Sequence, residues 1–338
     1  MKTLLLILLL MNTAWARNFK VSEKECAPTD IRDHHPHLKE HFSNPQDQDS
    51  VGWCYGYTAA DLLSVDTGEP VSAIHVSSIY NKNITKNPVM KLGYNIGRLF
   101  MKDAYKEVFE GGYISSALKD AMKSKEVCSD KNLPYYTLYS HEANALIRSI
   151  EAVKKSYKEA SITEANACEM IENRLGFSML GVYADKDKVI ASLLNDNLNT
   201  ALENLVRENC KGRMITLKEK SVRELSKPRE STERNIGLSY EARVKDYLKE
   251  VNHILTSGKP LGISYNVKHI AKKSGLHAST VIARRWNNGR CEYKIRNSWG
   301  SSCAAYKKEI QCESSEGTFW VNDETFFKMA NGLTFISN

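Results

Sequence analysis

Residues 48–57 read Gln48-Asp49-Ser50-Val51-Gly52-Trp53-Cys54-Tyr55-Gly56-Tyr57, a loop that runs directly into a helix opening at a cysteine. A thiol in the first turn of a helix faces unpaired N–H groups and the positive end of the macrodipole. Both favour thiolate, so a lowered pKa is expected for Cys54. Gln48, six residues upstream, can fold its amide back beside the sulfur. With the backbone N–H of Cys54 it would aim two donors at the oxyanion of an acyl-transfer intermediate. The plain alternative is a buried cysteine acting as a small hydrophobe. If Cys54 is a nucleophile, the fold is constrained, because a base and the base's orienting partner have to meet it from elsewhere in the chain.

The C-terminal third supplies both. His277 sits in Gly275-Leu276-His277-Ala278-Ser279-Thr280-Val281-Ile282, a half-buried strand pattern, and Asn297 opens Asn297-Ser298-Trp299-Gly300 after a second strand pattern. In this order of Cys54, His277 and Asn297, with Asn297 inside Asn-Ser-Trp-Gly and Gln48 six residues before the cysteine, the chain resembles the papain-like cysteine peptidases. Gly111-Gly112-Tyr113 is similar to the Gly-Gly-Tyr segment that binds substrate backbone in that family. The resemblance implies an α+β, two-lobed fold with a helical lobe and a β-barrel-like lobe. It assigns catalysis to Cys54, His277, Asn297 and Gln48 and substrate contacts to Gly111, Gly112, Tyr113, Ile114 and Ala278. Trp299 is implied to shield the Asn297–His277 hydrogen bond. No metal or organic cofactor is implied.

The departures are equally specific. The family signature Cys-Gly-Ser/Ala-Cys-Trp/Tyr is replaced by Val51-Gly52-Trp53-Cys54-Tyr55, and Phe109 stands where the family's partner cysteine would be. A Val51–Phe109 contact is the expected substitute for that bridge. His277 and Asn297 follow Cys54 by 223 and 243 residues, against roughly 130–150 in the family, so about 75–110 residues are inserted. Helical periodicity continues through residues 140–250, for example at Leu146, Ile150 and Val153 and again from Val189 to Leu205. Residues 211–234 are polar and basic and read as a linker or loop. The divisions expected are therefore 1–16, 17–139 with Cys54, a helical insertion at 140–250, and 251–338 with His277 and Asn297. The insertion is a candidate lid or exosite, with a peripheral decoration as the alternative.

Residues 1–16 have the form of a secretory signal: Lys2, an apolar run from Leu4 to Met11, and Ala14-Trp15-Ala16 before the cut. The apolar run is too short to span a bilayer. Export is the expectation, secreted or periplasmic, or lysosomal or vacuolar in a eukaryote. Residues 17–29 form a short polar lead. Eight cysteines in an exported chain imply disulfides. Reserving Cys54 leaves seven and at most three internal bridges, with Cys303–Cys312 and Cys168–Cys210 the expected pairs. A net charge of +7 without aromatic-interleaved basic motifs reads as a solvated surface, not as nucleic-acid binding. The partners expected are protein or peptide substrates, with no nucleic acid and no stable membrane insertion; oligomeric state is left open. His34-His35-Pro36-His37 lacks a paired cysteine or carboxylate and reads as a polar loop, not a metal site.

The function these features point to is an exported cysteine endopeptidase working through a thioester acyl-enzyme. Two alternatives stand beside it. One is a non-catalytic binding protein on a papain-like fold. The other is a different thiol acyl-transfer enzyme, a transglutaminase or an amidase.

Overall fold

The structure is a computed structural model, and it describes residues 21–48, 51–86, 111–131, 142–159, 163, 166, 169, 186–229 and 239–337. Residues 1–16, Phe109 and Cys168 lie outside these, and with them the signal sequence, the Val51–Phe109 contact and the pairing of Cys168.

Two hydrophobic cores define two lobes, one mainly helical and one built on an antiparallel sheet. The helical lobe is organised around α1 (Cys54–Thr67), in which Tyr55 to Ser64 are all buried, Thr58, Asp61 and Ser64 included. It stops at Gly68, whose φ of 76° lets its N–H close on the Ser64 carbonyl, a conformation that favours glycine. α2 (Ala73–Lys86) packs on α1 at Gly56, where a Cβ would fall 1.9 Å from Ser77 Oγ. α3 (Ile114–Ser124) turns Ala117, Leu118, Ala121 and Met122 inward.

The second lobe carries β1 (Thr29–Asp30), β4 (Ser221–Ser226), β5 (Leu261–Asn266), β6 (Leu276–Asn287), β7 (Arg290–Arg296), β8 (Gln311–Glu313), β9 (Thr318–Asn322) and β10 (Ala330–Ser337). Their order is β4-β10-β5-β6-β7-β9-β8, with β1 paired to β6. Every pairing is antiparallel. The arrangement is the α+β, two-lobed one expected. The short lead is not a free polar arm: Val21 and Cys26 are buried in the sheet lobe, and Cys26 is bridged to Cys291.

Among the described residues, the region 140–250 is helical at both ends and carries two strands in between. α4 (Glu142–Lys158), α5 (Lys186–Asn195) and α6 (Leu198–Asn209) bury Ile150, Val153, Val189, Leu193, Leu202 and Leu205 in the helical lobe's core. The polar stretch read as a linker instead forms β3 (Met214–Thr216), paired with β2 (Glu126–Cys128), and β4, paired with β10. Along β4 only Val222 and Leu225 turn partly inward, a pattern too sparse to register as a strand. α7 (Tyr240–Thr256) then belongs to the sheet lobe, burying Val244, Leu248, Val251 and Leu255.

Three bridges form among the described cysteines. Cys303–Cys312 is as expected. Cys210 pairs with Cys128, not with Cys168, because the β2–β3 ladder brings the end of α6 beside Cys128.

Candidate active site

Cys54 is the first residue of α1 and the one free cysteine among the described residues. His277 lies near the start of β6, and Asn297 directly follows β7, whose Arg296 pairs with Thr280 of β6. This pairing places the imidazole and the amide together, with His277 Nε2 2.7 Å from Asn297 Oδ1. The contact leaves Nδ1 as the imidazole's other nitrogen. The backbone N–H of Ala278 reaches the Cys54 thiol, so the sulfur sits against the strand that carries His277. The first turn of α1 and the strand β6 therefore meet at this sulfur.

The expected depression of the thiol pKa is not what the environment produces. Cys54 retains some exposure, yet the protein packed around the thiol pushes it up to about 11, outweighing the N–H groups of Ala278, Tyr55 and Cys54 itself. Burial also pushes His277 down to about 4, against the opposing pull of Asn297. In this arrangement the resting pair is a thiol and a neutral imidazole.

Gln48 is held by its own neighbours. Its Oε1 accepts from Ser298 Oγ at 2.6 Å, and its Nε2 donates to the Val51 carbonyl at 2.9 Å. An amide nitrogen carries two hydrogens, and the bond to Val51 uses one of them. The backbone around it is laced to the Asn297 loop: Gln48 N–H donates to the Ser298 carbonyl and Gly300 N–H to the Gln46 carbonyl. The Gln48 loop and the Asn-Ser-Trp-Gly turn are thus one bonded unit across the lobes.

Trp299 covers the imidazole, ring centroids 4.8 Å apart, and Tyr265 meets its edge at 5.5 Å. Gly111, at φ 80°, donates its N–H to the Gly52 carbonyl, which ties the Gly-Gly segment to the loop before Cys54. At Gly112 a Cβ would fall 2.6 Å from Tyr80 and 2.9 Å from Tyr55. Tyr113 is 70% exposed, whereas Ile114 and Ala278 are buried. Of the residues assigned to substrate, the first three are exposed and the last two are buried.

Sequence reasoning missed the groups that hold these residues in place. Asp61, two turns along α1 from Cys54, is fully buried and ion-paired to Arg296 across the lobes. It also accepts from Thr280 Oγ1 at 2.8 Å and Gln46 Nε2 at 3.2 Å. Ser279, on the same face of β6 as His277, was accessible from the period-two alternation of the strand. Asp61–Arg296 carried no local signal.

A cleft of about 920 Å³ lies elsewhere, between α2, α3 and α6, bordered by Lys82, Lys119, Asp120, Lys123, Glu203 and Arg207.

No protein-family description matches the chain, and no curated protein matches it. Solved structures do. It is similar to proCathepsin B S9 from Trypanosoma congolense, at 10% identity and a TM-score of 0.46, over 94% of this chain and 82% of that one. It is similar to digestive procathepsin L 3 of the Tenebrio molitor larval midgut, at 11% and 0.43, over 95% and 74%. A third is the bromelain protease of Ananas comosus, at 11% and 0.40, over 92% and 98%. These are papain-like cysteine peptidases. At such identities and TM-scores the likeness says nothing of activity, which has to be judged from the residues of the site.

Proposed function

We propose that the chain is a cysteine peptidase in which Cys54 attacks a peptide carbonyl. One observation carries the reading: an imidazole held by Asn297 through Nε2, on the strand whose next N–H touches the Cys54 sulfur. His277 Nδ1 takes the thiol proton as the C–S bond forms, and the carbonyl electrons move onto oxygen. Gln48 Nε2 and the Cys54 N–H receive that oxyanion. Collapse expels the amine, which leaves with the proton from His277, and a thioester remains. Water, deprotonated by the same nitrogen, hydrolyses the thioester and returns the proton to sulfur. The neutral resting pair supports this order, with proton transfer accompanying attack.

That same neutrality favours the second reading, a non-catalytic binding protein. An epoxysuccinyl thiol inhibitor separates the two. One equivalent should attach to Cys54 and abolish peptide hydrolysis, and Cys54→Ala should neither react nor hydrolyse. No attachment to a folded protein, or unchanged hydrolysis by Cys54→Ala, refutes the peptidase reading.

Substrates under this reading are peptides or proteins whose backbone pairs with Gly111 and Gly112. An oxidising compartment outside the cytosol fits three disulfides. Among the described residues no helix is long and apolar enough to cross a membrane.

A further inference from the structure

The cleft of about 920 Å³ between α2, α3 and α6 carries a charge excess that the catalytic groups do not use. Among the described residues that border it, five are cations and two, Asp120 and Glu203, are carboxylates, which leaves three positive charges over. Lys82 and Lys86 stand four residues apart on α2, and Lys119 and Lys123 four apart on α3, the helix packed beside it. Arg207 comes from α6. Glu203 is buried and held by two of these cations: Lys82 pairs with it, and so does Arg207 Nε at 2.8 Å. Asp120 is half-buried, bonded to Asn83 and faced by Lys123. Lys86, Lys119 and Lys123 are exposed, so the excess lies at the mouth of the cleft. One end of the cleft reaches the segment assigned to substrate. Tyr80, which lines it, packs on Tyr55 with ring centroids 4.7 Å apart, would meet a Cβ at Gly112 at 2.6 Å, and receives the Tyr113 N–H at its hydroxyl.

We propose that this cleft is a docking site for an extended, acidic segment of a protein substrate. Its use on substrates rests on the peptidase reading; the binding itself does not. Charge sets the sign of the occupant, and spacing sets its form. Residues four apart on a helix have Cβ atoms about 5–6 Å from one another, and in an extended chain every second side chain points the same way, about 6.6 Å on. Carboxylates on alternate residues of such a chain therefore keep step with the lysine rows, within the reach of a flexible lysine stem. A single phosphate would need cations converging on one point, whereas here the converging pair, Lys82 and Arg207, already holds Glu203. That ion cluster also shows the cleft accommodating a carboxylate. Position ties the site to cleavage. Tyr113 caps the start of α3, and Lys119 and Lys123 follow it by six and ten residues, about 9 and 15 Å along a helix. A polypeptide whose backbone pairs with Gly111 and Gly112 can therefore set a neighbouring acidic stretch against these lysines.

Two measurements test this. In the first, a fluorescein-labelled octapeptide of alternating Glu and Ala is titrated with full-length Cys54→Ala protein and followed by anisotropy. It should bind, weaken as salt rises from about 0.05 to 0.3 M, and bind at least about tenfold better than the same peptide with Gln for Glu. Lys119→Gln with Lys123→Gln should raise its Kd at least about fivefold, the effect of losing two exposed ion pairs, and Lys86→Gln on the facing helix should add to the loss. Lys245→Gln with Lys249→Gln, on α7 of the sheet lobe beside Glu25, removes the same charge and should leave Kd unchanged. In the second, the active protein is given a peptide substrate joined to the Glu-Ala tail by a Gly-Ser linker of about ten residues, which reaches about 17 Å. The tail is placed at one terminus or the other. In at least one of these substrates KM should fall about fivefold relative to a Gln-Ala tail, and the ratio should return to about one in Lys119→Gln with Lys123→Gln. Absence of peptide binding, an equal loss in the α7 variant, binding of a sulfated hexasaccharide in place of the peptide, or a KM that ignores the tail overturns the proposal. If the wild type hydrolyses no substrate at all, the peptidase reading fails, and the anisotropy measurement alone decides whether the cleft binds acidic chains.

Discussion

Replacing Asp61 with leucine removes a carboxylate that four groups converge on. Arg296 Nη1 pairs with it, Thr280 Oγ1 and Gln46 Nε2 donate to it, and His41 Nε2 lies 3.3 Å away. Arg296 would retain the His41 and Asn44 carbonyls, at 2.6 and 3.1 Å from Nη2, and the Phe42 ring, 5.2 Å from its centroid, but no counter-charge from Asp61. Stranding one member of a buried pair costs about 3–5 kcal/mol, because the remaining charge is left uncompensated. In a chain of this size each kcal/mol moves the midpoint by about 2 °C, so Tm should fall by about 6–10 °C. Removing both partners, Asp61→Leu with Arg296→Met, should return stability to within about 2 kcal/mol of wild type. Thermal and urea unfolding of the two variants read this, with Glu159→Gln as a control, since Lys155–Glu159 is exposed and should contribute nothing measurable. Arg296 immediately precedes Asn297, so Asp61→Leu should also cost up to about 10²-fold in kcat, the usual consequence of a misplacement near 1 Å. A single variant within about 1 kcal/mol of wild type, or a double variant no better than the single, would refute the reasoning.

Ser298→Ala removes the donor that orients the Gln48 amide, and kcat should drop about tenfold while KM holds; an unchanged kcat would show that Val51 alone suffices. Gly112→Ala drives a methyl into the buried rings of Tyr80 and Tyr55 and should cost about 1–3 kcal/mol, measured by urea unfolding; a neutral effect would mean the segment shifts freely. Burial holds His277 near 4 against an ordinary value of 6.5, so the folded state binds fewer protons than the unfolded one between those values. Its contribution is complete above pH 6.5 and is lost as the pH falls towards 4, about 3 kcal/mol in all. Unfolding free energies at pH 7.5 and 4.5 should therefore differ less in His277→Gln than in wild type, and equal differences would contradict the assignment.

What could be read from the sequence had a local signature. The cysteine-first helix, the alternation around His277 and the Asn-Ser-Trp-Gly turn each announce themselves within about ten residues. β6 and β7 coincide with the strand patterns around His277 and before Asn297 and were anticipated. β4 was not, because an outer strand in which four of six residues face solvent looks like a polar loop. Pairings between distant residues had no such signature. Cys128–Cys210 and Asp61–Arg296 link positions 82 and 235 residues apart, and only the assembled ladders and lobes bring them together. The thiol's pKa was misjudged for a related reason: the helix terminus is visible locally, but the surrounding protein that outweighs it is not.

The bridge between Cys26 and Cys291 spans 265 residues and fastens the first described part of the chain to nearly the last. Ile31, Leu38 and Phe42 are buried in a core whose other walls are α7 and β5 to β10. A ribosome adding roughly 5–20 residues per second needs on the order of 10–50 s to make that intervening length. For most of that interval these apolar side chains lack α7 and the sheet that cover them, and Cys26 has no partner to bond. Helix α1 and its neighbours can assemble meanwhile, but the sheet lobe closes only after synthesis is almost finished. A thiol-trapping chase during synthesis should accordingly find Cys26 reduced long after Cys128 and Cys210 have joined.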